Sequence, residues 1–488
     1  MAELINLKMD RAATLTLLKE HFNLDPKSSK VVVVGLGDTG VSVAHYLKNM
    51  GFEFAICDSR NKPPVTEAFY QQMADIPVFT GGFDEAAFNV ASHLVVSPGV
   101  PLNERVIIKA MANGVKVLSD IDLFACSVDA PIIAITGSNG KSTVTTLLGE
   151  MAKEAGKRVA VGGNIGIPAL DLLRFNSDDE NDVELYVLEL SSFQLERTSA
   201  LNAVAATVLN ISADHLDRHG DIKAYAKEKE RIFDGTGCMV INADDEMVSA
   251  MKREGRKVVT FSIQQKADFY IAQRNDDDNC KDAGQSQERL PRTAAEYLMQ
   301  DEQVLMPLAE LPLEGRHNAA NALAAFALGT AVNLDKQAMC NALRKFQGLE
   351  HRMQRIAEIG GVTWVNDSKA TNIGACIAAL QGYQKKVILI AGGDAKGADM
   401  NELTSVIKEK ARSVVLIGKD APLIETALNG CVPTYAANTM AQAVNIAAGL
   451  ATAGESVLLS PACASLDQYK NYMDRGEKFK KAVLELKV

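Results

Sequence analysis

Short apolar runs alternate with stretches of helical periodicity along almost the whole chain, and the alternation falls into three blocks. This is the pattern of parallel sheets covered by helices, so the predicted fold class is α/β. The first block holds "VVVVGLGDTG" at 31–40 and "FAICDSR" at 54–60, and ends near "SDIDLFACS" at 119–127. The second opens with "APIIAITGSNGKST" and runs to about Gly348. The third holds four strand-like runs, in "VTWVNDSKAT", "KVILIAGGDAKG", "SVVLIGKD" and "SVLLSPACASLDQYKN". The domains expected are 1–122, 123–348 and 349–488, with residues 1–27 an N-terminal extension read as one amphipathic helix. Residues 274–292, "RNDDDNCKDAGQSQERLPR", carry almost nothing apolar and read as a mobile surface insertion.

Composition narrows the class. At 488 residues the chain is too long for one core, and about 150 residues per domain again suggests roughly three. A net charge of -10 argues against a nucleic-acid partner. No apolar run reaches the roughly 18 residues of a membrane helix, and "MAELINLKMD" has no signal-peptide core, so a cytoplasmic protein without a membrane partner is expected. The eight cysteines are scattered with no C-x-x-C pair, which suggests neither a zinc site nor a disulfide framework.

The second block carries the clearest chemistry. "PIIAI" reads as a buried strand, and Val144, Leu147, Leu148 and Met151 repeat at helical spacing until Gly156. The turn between them, Gly137, Ser138, Asn139 and Gly140, therefore lies at a helix N-terminus, where free N–H groups and the helix dipole favour a phosphate. Lys141 would reach the terminal phosphates, and Ser142 or Thr143 a magnesium ion. The first glycine of the usual G-x-x-x-x-G-K-[ST] pattern is Ile135 here. The expected ligand is a nucleoside triphosphate held with magnesium, on a P-loop ATPase-like domain.

A phosphate loop needs a carboxylate at a neighbouring strand end to position the metal. Glu189 follows Tyr186, Val187 and Leu188 where a strand would leave the core, although a glutamate there is more often simply solvated. His215, in "AATVLNISADHLDRHG", offers an imidazole suited to a second metal, or a structural loop residue. Lys229 poses a sharper problem. In "DIKAYAKEKERIFDG", Ile222, Tyr225, Ala226, Ile232 and Phe233 form one apolar stripe behind an Asp221 N-cap, and Lys229 falls in its middle. Either its stem snorkels outward, or its amine is buried, depressed in pKa and open to chemical conversion.

"GLGDTG" in the first block fits G-x-G-x-x-G after a strand, and Asp58 ends the next strand-like run. Pattern alone favours NAD and leaves UDP equally compatible, since both present a diphosphate and a ribose.

Nine motifs in order, "TGSNGKST", "GGNIGIP", "LELSSFQLE", "DHLDRH", "EGRHNAANALAA", "GLEHRM", "NDSKATN", "GGDAKGAD" and "LLSPACASLDQYKNYMDRG", resemble the Mur ligases of peptidoglycan synthesis over nearly the whole chain, nearest to the members that add D-glutamate. The resemblance implies Rossmann-like N- and C-terminal domains around a central ATP-binding domain with a mostly parallel sheet. It implies that ATP phosphorylates the carboxylate of UDP-N-acetylmuramoyl-L-alanine and that the amine of D-glutamate attacks the acyl phosphate, by a monomer. The family loop is also shorter than the general pattern, which accounts for Ile135.

Residue by residue, Lys141 matches the lysine on the transferring phosphoryl group, Ser142 and Glu189 ligands of a first Mg2+, and His215 a ligand of a second. Lys229 matches a lysine carbamylated by CO2, an anion that serves the second Mg2+. Asn164 matches a substrate contact, and Asn318, Asn321, His351 and Arg352 match nucleotide-side positions. Asp38, Thr39, Asp58, Ser59 and Arg60 match the UDP region, with Ser59 in place of threonine. Lys369, Thr371, Asp394, Lys396, Ser465 and Tyr472 match positions on D-glutamate or the nucleotide side, with Tyr472 in place of phenylalanine.

Overall fold

The computed structural model describes residues 11–83, 85–177, 183–274, 295–313 and 315–486. Among them the strands build three sheets, one per block. The first joins β1 (Lys30–Val34), β2 (Glu53–Asp58), β3 (Val78–Thr80), β4 (His93–Val96) and β5 (Lys116–Leu118) in the order β3-β2-β1-β4-β5. All its pairings are parallel. The chain reverses its direction of travel across this sheet at β1, so a crevice opens beyond the carboxyl ends of β1 and β4, where ligands of such sheets bind.

The central sheet joins β6 (Ile132–Thr136), β7 (Val159–Gly163), β8 (Leu185–Glu189), β9 (Ala205–Val208), β10 (Cys238–Asn242), β11 (Val258–Ser262), β12 (Phe269–Arg274), β13 (Ala295–Gln300) and β14 (Gln303–Pro307). Its order is β14-β13-β12-β11-β10-β9-β6-β8-β7, parallel from β7 to β12 and antiparallel beyond. β6 is buried along its whole length between β8 and β9. That burial explains its unbroken apolar run. The third sheet joins β15 (Gln354–Ile359), β16 (Val362–Asn366), β17 (Val387–Gly392), β18 (Ala411–Ile417), β19 (Thr434–Ala436) and β20 (Ser456–Leu459), in the order β15-β16-β20-β17-β18-β19. Two of these strands escape the sequence pattern: β19 is three residues long, and β15 is an antiparallel edge strand of half-buried and exposed residues.

One apolar core runs without interruption from Leu18 through β1 and helix Asp120–Ala125 to Tyr186 and Met239, so the first two units share a packed joint. Phe124 meets Tyr186 edge-on there, ring centroids 5.0 Å apart. The expected division at 122/123 lies within this helix.

The N-terminal reading needs correction. Where described, the extension is helical only over Arg11–Phe22. Asn23 turns left-handed at φ 57°, and the N–H groups of Asn23 and Leu24 close back on Lys19 O and Leu18 O. This asparagine cap ends the helix before Pro26, and Leu24 then tucks into the core. Residues 275–294, which hold nearly all of the expected surface insertion, lie outside the described residues. The described cysteines are all free thiols.

Candidate active site

The phosphate loop leaves β6 and enters helix Lys141–Glu154. Gly140 adopts φ +84°, and a Cβ there would stand 2.4 Å from Asn321 Oδ1, so the close approach of helix Arg316–Ala331 requires glycine. The loop is tied down on its other side. Ser138 N–H donates to Asn210 O at 2.9 Å, Asn139 N–H to Asn210 Oδ1 at 2.8 Å, and Ser138 Oγ to Ser212 O at 3.0 Å. Lys141 folds back so that its ammonium donates to Gly137 O and Ser138 O at 2.8 and 3.0 Å. Ser142 and Thr143, in the first helical turn, are buried.

Around this loop cations outnumber carboxylates. Arg352 and Lys396 act on Lys141, Arg352 and Lys141 act on Lys369, and Lys141 acts on Lys229, while Glu189 and Asp214 oppose them and Asp367 faces Arg352. Burial lowers the Lys141 pKa, opposed chiefly by Glu189 and Asp214. Lys369 is brought down to about 8 by burial, with Glu189 pulling the other way. Such a cluster suits a ligand carrying several negative charges.

Glu189 emerges at the end of β8. Its Oε1 accepts from Asn164 Nδ2 at 2.8 Å, whereas Oε2 is buried with no hydrogen-bond partner. An orphaned carboxylate oxygen beside a phosphate loop fits a divalent cation. Among the described residues no three His, Cys, Asp or Glu side chains converge as a metal cage. A magnesium ion here would therefore rest on one carboxylate, hydroxyls, phosphate oxygens and water, its usual company.

Lys229 is 1% exposed, in helix Ile222–Glu230, whose first N–H groups Asp221 caps. Its stem does not snorkel. The amine donates to Thr136 Oγ1 at 3.2 Å and sits 4.6 Å over the Tyr225 ring, facing the phosphate loop. Burial, reinforced by the charge of Lys141, pushes its pKa well below the ordinary lysine value. His215 stands at the start of the preceding short helix, Leu216–His219, with φ 54° and its ring edge-on to Phe193 at 4.8 Å. Burial brings it down to about 4, so it is a neutral imidazole at neutral pH with a lone pair for a metal.

The nucleotide-side residues separate. A cleft of about 250 Å³ beside the loop is lined by Asn139, Gly140, Asn321 and Arg352, and also by His317 and Asp367. Asn318 is buried behind it, accepting from Asn321 Nδ2 at 3.3 Å. His351 is not brought into the cleft. Its ring faces the C-terminal interior, 3.1 Å from Asn366 Nδ2 and against Gly476, because a φ of 61° turns its side chain away from that of Arg352. His351 thus supports the wall rather than forming it.

A second cleft, of about 500 Å³, opens at the crevice of the first sheet. Asp38, Thr39, Asp58, Ser59 and Arg60 all line it, and Asn164 and Gln194 reach it from the central unit. Asp58 is fixed by Leu36 N–H at 2.6 Å and by the Arg60 guanidinium at 2.6 and 2.9 Å. Despite partial burial, these bonds hold its carboxyl below the usual range.

The C-terminal residues gather on two sides. Lys369 donates to Tyr472 Oη at 3.2 Å and lies over the Tyr472 ring, so tyrosine here adds a hydrogen bond that phenylalanine lacks. Asp394 and Ala464 exchange backbone hydrogen bonds, which sets the Asp394–Lys396 loop beside Ser465. Thr371 and Lys396 face His215 across a small cavity. The Asp394 carboxylate instead turns outward to Lys419 at 3.1 Å.

Sequence reasoning passed over Asp214, Asn372 and Asn210. Asp214 bonds Lys396 and Asn372 of the C-terminal unit, and Asn372 also meets Asn139 of the phosphate loop. Only its place beside His215 in "DHLDRH" hinted at Asp214.

Comparison with known proteins decides the family. Sequence models of the Mur ligase MurD-like N-terminal domain, the Mur ligase middle domain and the Mur ligase glutamate ligase domain match residues 29–119, 135–329 and 351–463. The UDP-N-acetylmuramoylalanine--D-glutamate ligase of Methylococcus capsulatus is 50% identical over 94% of this chain and 95% of its own. That of Nitrosococcus oceani is 49% identical over 93% and 96%. The chain belongs to the Mur ligase family. Solved Mur ligases share the fold at low identity. UDP-N-acetylmuramate-alanine ligase from Thermotoga maritima aligns at TM-score 0.58 and 18% identity over 94% of this chain and 100% of that one. MurF from Acinetobacter baumannii aligns at 0.58 and 15% over 97% and 98%. The two clefts thus lie in a Mur ligase fold of three α/β units, which removes NAD as the ligand favoured by the first glycine loop alone.

Proposed function

We propose that this Mur ligase joins D-glutamate to UDP-N-acetylmuramoyl-L-alanine with ATP as the energy source, in cytoplasmic peptidoglycan precursor synthesis. The observation that carries the reading is the charge gathered at the phosphate loop: Lys141, Lys369, Lys396 and Arg352 ring it, between a glycine-loop crevice and the C-terminal wall. The units act as 1–122 for the UDP substrate, 123–348 for ATP and 349–488 for the amino acid, in a monomer that needs neither membrane nor nucleic acid. No helix among the described residues is long and apolar enough to cross a membrane.

ATP lies in the cleft of Asn321 and Arg352 with its phosphates on the Gly137–Lys141 turn. Lys141 neutralises charge on the transferring phosphoryl group, and the ring of cations stabilises the charge that develops on it. The product is an acyl phosphate on the alanine carboxylate. Asp58, Ser59 and Arg60 with the Gly35–Gly40 turn hold the UDP end, and Asn164, bonded to Glu189, links that cleft to the phosphate loop. Lys369, Lys396, Thr371 and Ser465 hold the carboxylates of D-glutamate, whose amine attacks the acyl carbon and expels phosphate. Magnesium, when bound, screens the phosphate charge. Ser142 and Glu189 would hold one ion, and His215 with Lys229 as a carbamate a second. Three observations support the carbamate: the full burial of Lys229, its position in an apolar stripe facing the loop, and its depressed pKa, since only the neutral amine takes up CO2.

An amino-acid panel tests the reading. ADP release with UDP-N-acetylmuramoyl-L-alanine is expected with D-glutamate and not with L-glutamate, L-lysine or meso-diaminopimelate. The L-lysine penalty is expected to exceed the roughly 1–3 kcal/mol of a size misfit, because buried cations would lose their partners. Efficient L-lysine incorporation would overturn the substrate assignment and leave the ligase chemistry standing.

A further inference from the structure

Between the central and C-terminal units lies a small cavity whose polar walls are Asp214, His215, Thr371, Asn372 and Lys396. Among the described residues Asp214 is the only carboxylate that lines it. Two groups of the C-terminal unit fix that carboxylate: Lys396 Nζ donates to Oδ1, and Asn372 Nδ2 to Oδ2 at 3.1 Å. His215 Nε2 lies 3.7 Å from Oδ2 on the other side. The Asp214 and Lys396 side chains are 9% and 15% exposed, so the pair is largely desolvated.

The steps proposed above use Lys396 and leave its partner without a task. A buried ion pair is expensive to desolvate and weak as a mere fastener. We propose that Asp214 recognises the amino group of the incoming amino acid, making Asp214 and Lys396 a cation–anion pair matched to a ligand that carries an ammonium beside a carboxylate. The inference rests on the reading of the C-terminal wall as the amino-acid site. Glutamate brings two negative groups and one positive. Lys369, Lys396 and Asp214 present the opposite set. Thr371, on the same wall, donates equally well to any dicarboxylate and cannot tell glutamate from its deaminated analogue. Asp214 can, since a ligand lacking the ammonium leaves its charge without a ligand partner. Were Asp214 only a latch between units, its loss would weaken every dicarboxylate alike.

Glutarate, a dicarboxylate of the same length without the amino group, separates these cases when it competes with D-glutamate in the full reaction of the intact chain. In the wild-type protein its inhibition constant is expected to lie about 100-fold above the KM for D-glutamate. In Asp214→Asn the KM for D-glutamate is expected to rise about 100-fold while the glutarate constant moves less than about threefold. Wild-type glutarate inhibition as tight as the D-glutamate KM overturns the proposal. So does a variant that weakens both ligands by one factor, or that leaves the D-glutamate KM in place. Should Asp214→Asn fail to fold, the wild-type ratio alone decides. Wild-type turnover of D-glutamate tests the substrate reading by itself, so its failure stays distinct from failure of the glutarate ratio.

Discussion

Two glycine turns in this molecule use the same backbone device in different electrostatic surroundings. Gly35–Gly40 leaves β1 for helix Asp38–Asn49, and Gly137–Gly140 leaves β6 for helix Lys141–Glu154. Both present a helix N-terminus at an inner strand of a parallel sheet, the arrangement that favours a diphosphate. Around the first turn the arginine is already paired: Arg60 spans Asp58 with two hydrogen bonds. Around the second, Lys141, Lys369, Lys396 and Arg352 outnumber Glu189, Asp214 and Asp367 and are partly withdrawn from solvent. Backbone shape makes each turn an anion site. Surplus positive charge marks the second as the place where phosphate charge changes during reaction.

Breaking the second turn should have the largest effect. Lys141→Ala is expected to lower kcat by about 10³-fold or more, because a positioned cation stabilises the transferring phosphoryl group. Steady-state ADP release measures it, and turnover within tenfold of wild type would remove Lys141 from that role. Lys229→Ala comes next, with a loss of about 100-fold and unchanged folding by circular dichroism, since alanine suits a helix and removes a buried amine. Acetate should restore part of that activity by supplying the missing carboxylate oxygen. Lys227→Ala, exposed two residues away, should stay within about twofold of wild type. An essential Lys227 beside a dispensable Lys229 would contradict the site.

At the first turn the same kind of change should act on binding alone. Arg60→Ala is expected to raise the KM for the UDP substrate about tenfold with kcat nearly constant, since half of its side chain is exposed and uniform binding is what it provides. A kcat collapse there would erase the contrast between the turns. The smallest effect is a pH break. Burial holds Lys369 at about 8, with Arg352 and Lys141 lowering it further and Glu189 raising it. Its charge is therefore present below pH 8 and lost above. The kcat/KM for D-glutamate should fall about twofold by pH 8 through this group, and Lys369→Arg should remove that break, because a guanidinium stays charged throughout.

Much of this was legible locally. The strand, glycines, lysine and hydroxyls of 132–143 follow one another directly in the chain, and the place of Lys229 in its stripe follows from helical phase. What escaped depends on distance along the chain. Asp214 meets Lys396 182 residues later, and no local period encodes that pairing. His351 and Arg352 are neighbours, and only the left-handed φ of His351 turns its ring inward. The short β19 and the half-exposed edge strand β15 lack the apolar run that marks their neighbours. The helix of the extension stops at Asn23 by a cap that hydrophobic patterning does not register.

The central claim is that both turns serve one reaction. ADP release measured with each substrate omitted in turn tests it most directly. The account predicts rapid release only when UDP-N-acetylmuramoyl-L-alanine and D-glutamate are both present, with one ADP per amide bond formed. Rapid ATP hydrolysis that is indifferent to the UDP substrate, or amide formation without ADP, would contradict it.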